Sequence, residues 1–385
     1  MGLPRMLFVI TVYNGRTVVP PCLRSAAAMS SNDLELDVLI LDDASPDPGF
    51  SDEVRILCAE LGHQYYRSPR NLGIPRNVNL GLLRALHGGY DHVVIANSDI
   101  LFPAHLPDTL FETASTDPTI GSVTAWSNNV SIYSLPNVDP DLHLRNQSVV
   151  NWLADSIYGQ FGTSAVDIPA GISFCMLIPV PVLRTVGLMD PVFGRGYCEE
   201  TDWSLRSRSM GYRIALSPST FVYHQGGGTN VEAGLVSSGH TSVPAHERII
   251  DHRYPLFRTQ VDAFLNSELL DHLRRDARTK ILVDASREWG YSVVGGVHDP
   301  MNDDSGPSVS LEINAGELQA VARFIGFEQV LPTSSDLPKS IVEFFGSPPG
   351  KVRIIEPATG LSGVVDGFGG LGSKVIREVC YPSRV

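Results

Sequence analysis

The chain has 385 residues, 43% hydrophobic and 18% charged, with a formal net charge of −13. That balance is globular rather than disordered, and the acidic excess argues against nucleic acid as a partner and against a basic membrane-docking face. A small anionic ligand stays open, because a few local cations or a metal reverse the field inside a cleft. Five widely spaced cysteines without a CxxC pair suit reduced thiols better than a disulfide framework or a zinc site. The N-terminal apolar run is short and ends in a turn signal, so it reads as a first strand and not a signal peptide. No run reaches membrane-spanning length, and a soluble cytoplasmic protein is the expectation.

In chain order, Leu7–Val12 is an unbroken apolar run ending at Asn14-Gly15, as a buried parallel strand should be. Thr17 to Met29 is predicted helical, with Pro20 and Pro21 tolerable only near its start. Val38–Leu41 is a second buried strand closing on Asp42-Asp43-Ala44-Ser45. A helix is expected over Asp52–Leu61, a short strand over Gln64–Arg67 and a helix over Val78–Leu86 behind the turn Asn71 to Asn77. The strand His92–Ala96 opens onto Asn97-Ser98-Asp99. Strands alternating with helices predict an α/β protein with a mostly parallel sheet, whose ligands sit beyond the carboxyl ends of the strands. Polar clusters fall at three such ends: Thr11/Tyr13/Asn14, Asp42/Asp43 and Asn97/Asp99.

Further on, Ile120–Trp126 continues the sheet, and the irregular, aromatic-dotted stretch Ser127 to Asp167 suits an acceptor-side insertion. Pro169–Ile178 is expected as a strand, with Gly171 where something approaches the backbone closely. Pro181–Val186 is a short helix. Gln225 to Val243, rich in glycine and serine, reads as a mobile loop or lid. We expect a helical extension over 246–279, a strand at Lys280–Asp284 opening a C-terminal α/β region over 280–385, and a helical pattern at Lys374–Val379.

Each polar cluster has a plain structural alternative. Asp42 and Asp43 serve either a ligand or their own turn, since Asp and Ser favour such loops. Asp99 at a sheet edge suits a hard cation such as Mg²⁺ or Mn²⁺, or it is a turn residue. Glu199, Glu200 and Asp202 open a helix that Gly211 stops, where acids are favoured by the dipole and free N–H groups. Three exceed what capping needs, and ion pairing with Arg206 or Arg208 absorbs one or two of them. A general base there would be kept ionised by the helix terminus. His224 ends an apolar strand, and the glycines at 226–228 allow close approach of backbone to phosphate. The GxGxxG spelling at 367–372 lacks the downstream acid a dinucleotide fold requires and is set aside.

Taken in order, ITVYNG, LILDDASPD, NLGIPRNVNLG, IANSDI, the block from PAGISFCM to GYCEETDW, and VYHQGGGT resemble the inverting family 2 glycosyltransferases of GT-A fold, over roughly residues 5 to 230. The GYCEETDW form is similar to that of bacterial enzymes building rhamnose-containing polysaccharides. The resemblance implies a GT-A domain over 1–245, a nucleotide-diphosphate sugar as donor and a glycan or lipid-linked glycan as acceptor. It also implies a divalent cation, and a cytoplasmic site of action that includes the inner face of the membrane. Thr11, Tyr13, Asp42 or Asp43, Arg76, Asn97 and Ser98 would hold the nucleotide. Asp99 would bind the metal bridging the donor diphosphate, with His224 a further metal or phosphate contact. Glu200 would be the base, flanked by Glu199 and Asp202. Two positions depart from the pattern: Asn97 replaces the first acid of the DxD motif, and Glu200 replaces an aspartate, which lengthens the base by one methylene and leaves Glu199 or Asp202 as the alternative base. A sugar nucleotidyltransferase would need a longer, basic loop after the first strand than Tyr13-Asn14-Gly15-Arg16, and a non-catalytic nucleotide- or glycan-binding module is the rival from another class.

Overall fold

The computed structural model describes residues 2–136, 146–225, 243–295, 309–314, 319–331, 336–356, 362–371 and 373–379. It divides into two compact units, Met1–His272 and Leu273–Val385.

In the first unit, strands β1 (Arg5–Val12), β2 (Glu35–Asp42), β3 (Gln64–Arg67) and β4 (His92–Asn97) are parallel and lie side by side in the order β3-β2-β1-β4. β1 is buried along nearly its whole length, which is why its apolar run has no polar alternation. The order changes direction at β1, with β2 on one side and β4 on the other. A crevice at the carboxyl ends follows from that change. Helices α1 (Val19–Ala27), α2 (Phe50–Leu61) and α3 (Ile74–His87) connect these strands. The prolines of α1 and α3 fall in their first turns, where no intrahelical N–H is lost.

Beyond β4 the sheet turns mixed. β5 (Ile100–Leu101), α4 (Leu106–Ser115), β6 (Ile120–Ser127), α5 (Gln147–Phe161) and β7 (Val166–Asp167) follow in sequence. Next come β8 (Cys175–Pro179), α6 (Val180–Val186), α7 (Glu199–Ser209) and β9 (Arg213–His224). β8 is antiparallel to β4 and β6, β9 is parallel to β6, and β5 and β7 pair antiparallel with β9. The expected strand over Pro169–Ile178 shortens to Cys175–Pro179, because the residues before it leave the ladder to make the loop described below. The stretch expected to be irregular holds helix α5, capped by the Asn146 side chain, which accepts from the Ser148 N–H at 3.0 Å. Helices α8 (Pro244–Arg253) and α9 (Phe257–Leu265) close the unit. The loop expected at Gln225 to Val243 lies almost wholly outside the described residues.

Helix α10 (Leu269–Trp289) spans the position where a boundary was expected. Lys280–Asp284, expected as a strand, is helical: Lys280 and Asp284 are ion-paired four residues apart, and Ile281, Leu282 and Ala285 are buried at helical spacing. The second unit is a six-stranded sheet in the order β13-β12-β11-β10-β14-β15. Its strands are β10 (Tyr291–Gly295), β11 (Val309–Asn314), β12 (Gln319–Phe324), β13 (Phe327–Leu331), β14 (Lys351–Glu356) and β15 (Lys374–Val379), with helices α11 (Leu337–Phe345) and α12 (Ser362–Gly370). Lys374–Val379 is therefore a strand rather than a helix, paired in parallel with β14. Gly367 lies inside α12, so the discarded GxGxxG spelling is not a strand-to-helix turn. Among the described residues no helix is long and apolar enough to cross a membrane.

Candidate active site

The parallel register sets the polar strand ends at one level: Thr11 is opposite both Leu41 and Asn97, and Val12 is opposite Asp42. After β4 the chain turns through Ser98 and Asp99 into β5, and Ile100 pairs with His224 at the end of β9. That short antiparallel bridge brings Asp99 and His224 together, with Asp99 Oδ1 3.2 Å from His224 Nε2 and each side chain 12% exposed. The Asn97 amide nitrogen lies 3.4 Å from the same Nε2.

His224 is held on several sides. Its Nδ1 lies 2.9 Å from the Asn129 carbonyl. A carbonyl only accepts, so Nδ1 carries the proton and Nε2 faces Asp99. The Asn128 side chain accepts from the His224 N–H at 2.8 Å and donates to the His224 carbonyl at 3.0 Å. The Phe174 ring stacks on the imidazole with centroids 5.6 Å apart. Burial alone would lower the pKa of His224, but the charge and hydrogen bond of Asp99, with the Asn129 carbonyl, raise it overall.

Asp99 and His224 offer one carboxylate and one imidazole nitrogen, and no group of three or more His, Cys, Asp and Glu side chains that could hold a metal ion is found among the described residues. Such a pair fits a divalent cation that takes its remaining ligands from donor oxygens and water. Asn97 supplies an amide where a second carboxylate would have added charge.

The carboxylates of Asp42 and Asp43 are spent on the protein. Asp42, fully buried, accepts from the Ser45 N–H at 2.8 Å, the Ser51 hydroxyl at 2.5 Å and the Tyr65 hydroxyl at 2.9 Å. Asp43 accepts from the N–H groups of Leu72 and Gly73 at 2.7 and 2.9 Å, and burial, opposed by those two donors, raises its pKa. Both therefore brace the loops that follow β2 and β3. Thr11 and Tyr13 are half-buried, Ser98 is buried, and Arg76 is exposed in the first turn of α3 without a hydrogen bond or ion pair among the described residues. That first turn meets the loop leading to the acids. A Cβ at Gly73, whose φ is +80°, would stand 2.2 Å from the Gly194 carbonyl oxygen, and the Ile74 N–H donates to the Arg195 carbonyl at 3.2 Å.

The three acids share the first turn of α7, which follows Tyr197 and Cys198 at φ of 71° and 74°. Two successive left-handed residues other than glycine are a strained entry into a helix. Asp202 is fully buried and accepts from Arg206 Nε at 2.9 Å, Arg253 Nη1 at 2.8 Å and the Tyr254 hydroxyl at 2.9 Å. Glu199 and Glu200 differ from it. Each keeps a buried Oε2 with no hydrogen-bond partner among the described residues. Burial, reinforced by the charge of Glu200, pushes Glu199 well above the ordinary carboxylate range. Burial also raises Glu200, partly offset by the N–H groups of Glu200 and Thr201.

A loop joins the two clusters. The Gly171 N–H donates to Ser204 Oγ of α7 at 3.1 Å and the Ile172 N–H to Thr124 Oγ1 at 3.2 Å. At its far end the Phe174 carbonyl accepts from the Asn97 N–H at 3.0 Å. A Cβ at Gly171 would lie 2.7 Å from the Met176 sulfur, so the close approach expected there is the protein's own packing. Asn128, Asn129, Phe174, Arg253 and Tyr254 escaped the sequence reading. The Asn128-Asn129 pair, just past the buried strand β6, is a polar strand end of the same kind as the three singled out.

Residues 7–183 match the family model for glycosyl transferase family 2. They form a family 2 glycosyltransferase domain. The span includes every donor-side residue named above, and the acids of α7 and His224 lie beyond it. Among characterised proteins, the chain is 28% identical over 245 residues to an undecaprenyl-phosphate mannosyltransferase of Micrococcus luteus, covering 62% of this chain and 92% of that protein. Among solved structures, GalNAc-T7 with UDP, GalNAc and Mn²⁺ aligns at 14% identity and a TM-score of 0.47, over 69% of this chain and 58% of that one. The mannosyltransferase PcManGT of Pyrobaculum calidifontis, with GDP-Man and Mn²⁺, aligns at 19% identity and a TM-score of 0.44, over 74% and 76%. The glycosyltransferase assignment rests on the family match.

Proposed function

We propose that the first unit transfers a sugar, with inversion, from a nucleotide-diphosphate donor to a hydroxyl of a glycan or lipid-linked glycan acceptor. The observation that carries the choice of base is the contrast among the acids. Asp202, Asp42 and Asp43 are each fully engaged, whereas Glu199 and Glu200 each keep a buried oxygen without a partner among the described residues. Glu200, at the position the family uses for its base, takes the proton of the acceptor hydroxyl. The acceptor oxygen bonds to the anomeric carbon as the bond to the diphosphate oxygen breaks on the opposite face. The raised pKa of Glu200 makes its carboxylate a stronger base than an ordinary one.

On the donor side, Thr11 and Tyr13 at the end of β1, Ser98 after β4 and Arg76 in the first turn of α3 would hold the nucleotide, and Arg76 is a cation without a protein partner among the described residues. Asp99 and His224 would hold a divalent cation, which when bound stabilises charge on the departing diphosphate. The family membership supports the donor class. The name of the Micrococcus luteus relative supports a lipid-linked acceptor and, with it, action at a membrane surface.

Glu200→Gln tests the reading. Transfer should fall by about 10²- to 10⁴-fold, with the calorimetric affinity for the nucleotide sugar nearly unchanged, and the anomeric coupling in the wild-type product should report inversion. A Glu200→Gln enzyme that turns over normally would sink the assignment. Asn97 in place of an acid favours the rival binding module, which predicts that no donor sugar is released with or without Mn²⁺.

A further inference from the structure

Helices α8 and α9 lie outside the span matched to the family, yet they hold both ends of the turn that carries Glu199 and Glu200. Upstream of the acids, His246 Nδ1 lies 2.8 Å from the Gly196 carbonyl, and its ring meets Phe193 edge-on with centroids 5.6 Å apart. Downstream, Arg253 Nη1 and the Tyr254 hydroxyl both donate to Asp202, and Arg253 also pairs with Asp190 at 2.9 Å. Between these anchors Ile250 is buried with Phe193 and Leu205, and Ile249, Tyr254, Phe257 and Cys198 pack around them.

We propose that the segment from His246 to Tyr254 is a strap that positions Glu200, with His246, Arg253 and Tyr254 acting as positioning residues through Gly196 and Asp202. The inference rests on reading Glu200 as the base. Its physical basis is the conformation of the turn. Tyr197 and Cys198 are both left-handed, and such backbone persists only where its surroundings over-determine it. The helix alone does not do so, because Arg206 satisfies only one oxygen of Asp202 and its other donors contact the Val186 and Leu188 carbonyls. The second Asp202 oxygen is held, among the described residues, from the strap. The two acids Asp190 and Asp202 and the two cations Arg206 and Arg253 form a balanced set, so removing Arg253 leaves a buried carboxylate under-compensated two residues from Glu200.

Arg253→Met, Arg253→Lys and Tyr254→Phe, made in the full chain, test this. Arg253→Met should lower kcat about 10- to 100-fold, the cost of a small misplacement of a reacting group, while the calorimetric affinity for the nucleotide sugar stays within about twofold. Arg253→Lys should recover most of the loss. Amide hydrogen exchange over residues 196–202 should rise in Arg253→Met while that of β1 and β4 does not. Wild-type kcat in Arg253→Met, unchanged exchange over 196–202, or donor affinity falling in step with kcat would each overturn the strap. If Arg253→Met does not fold, Tyr254→Phe removes one hydrogen bond and keeps the ion pairs. It should lower kcat about 3- to 10-fold without altering donor affinity, and no change in kcat overturns the proposal. A wild-type chain that transfers sugar from no donor would instead overturn the reading of Glu200, and the exchange measurement still decides whether the strap orders the turn.

Discussion

Three acids share one helical turn, yet their chemistry diverges with their neighbours. Asp202 stands four residues before Arg206 and meets Arg253 and Tyr254, so three donors engage its carboxyl group. Burial first, and the charge of Asp202 next, push the Tyr254 hydroxyl up to about 12. Glu199 has no cation in ion-pair contact among the described residues, and burial beside Glu200 favours its neutral form. A carboxyl whose folded pKa is raised binds its proton more tightly in the native state than in the unfolded chain. Its contribution is therefore neutral below the ordinary carboxylate range and increasingly destabilising as pH rises through that range toward the folded value. Glu199→Gln should accordingly leave stability near that of the wild type in mild acid and exceed it increasingly toward neutral pH. Urea midpoints across pH 4 to 8 would check this, and a constant difference across the range would contradict it.

At the scale of elements, the site depends on loops meeting across the carboxyl edge of the sheet. Gly73 opens α3 at φ +80° with the Gly194 carbonyl where a side chain would stand. Gly73→Ala should cost roughly 1–3 kcal/mol in stability. It should also push the Arg76 turn away from the acid-bearing loop, weakening donor binding as well as lowering the melting temperature. An unchanged melting temperature would show that the two loops do not bear on each other. The misread elements have a common cause. Lys280–Asp284 and Lys374–Val379 are short apolar runs that fit either period, and length and partners decide between them. The first continues a long helix and the second finds β14 beside it.

At the scale of the molecule, two compact units follow one another along the chain, and the described site residues all belong to the first. The second carries its own core, with Tyr291 stacked on Phe345 at 4.3 Å and Trp289 on Phe324 at 5.3 Å. A chain ending at His272 should therefore melt cooperatively, within about 4 °C of the corresponding transition in the full chain, and bind nucleotide sugar with unchanged affinity. A non-cooperative melt would show that the first unit depends on the second. Calorimetry of both chains makes the comparison.

Much of the site was legible before any coordinates, because it is built from strand ends. Apolar runs that stop before Asn14, Asp42 and Asn97 announce buried parallel strands with a polar carboxyl edge, and the acids before Trp203 mark the start of a helix. Local chemistry determined that much: periodicity, turn residues and the type of side chain at each end. Which acid is held and which is left without a partner was beyond its reach. Asp42 looks like a ligand residue in the sequence and becomes a loop brace through Ser51 and Tyr65, and Asp202 looks like a second base and becomes an anchor through Arg253 and Tyr254. Those partners come from distant segments, and only the tertiary structure decides them, because a carboxylate's role is set by the donors packed around it rather than by its neighbours in the chain.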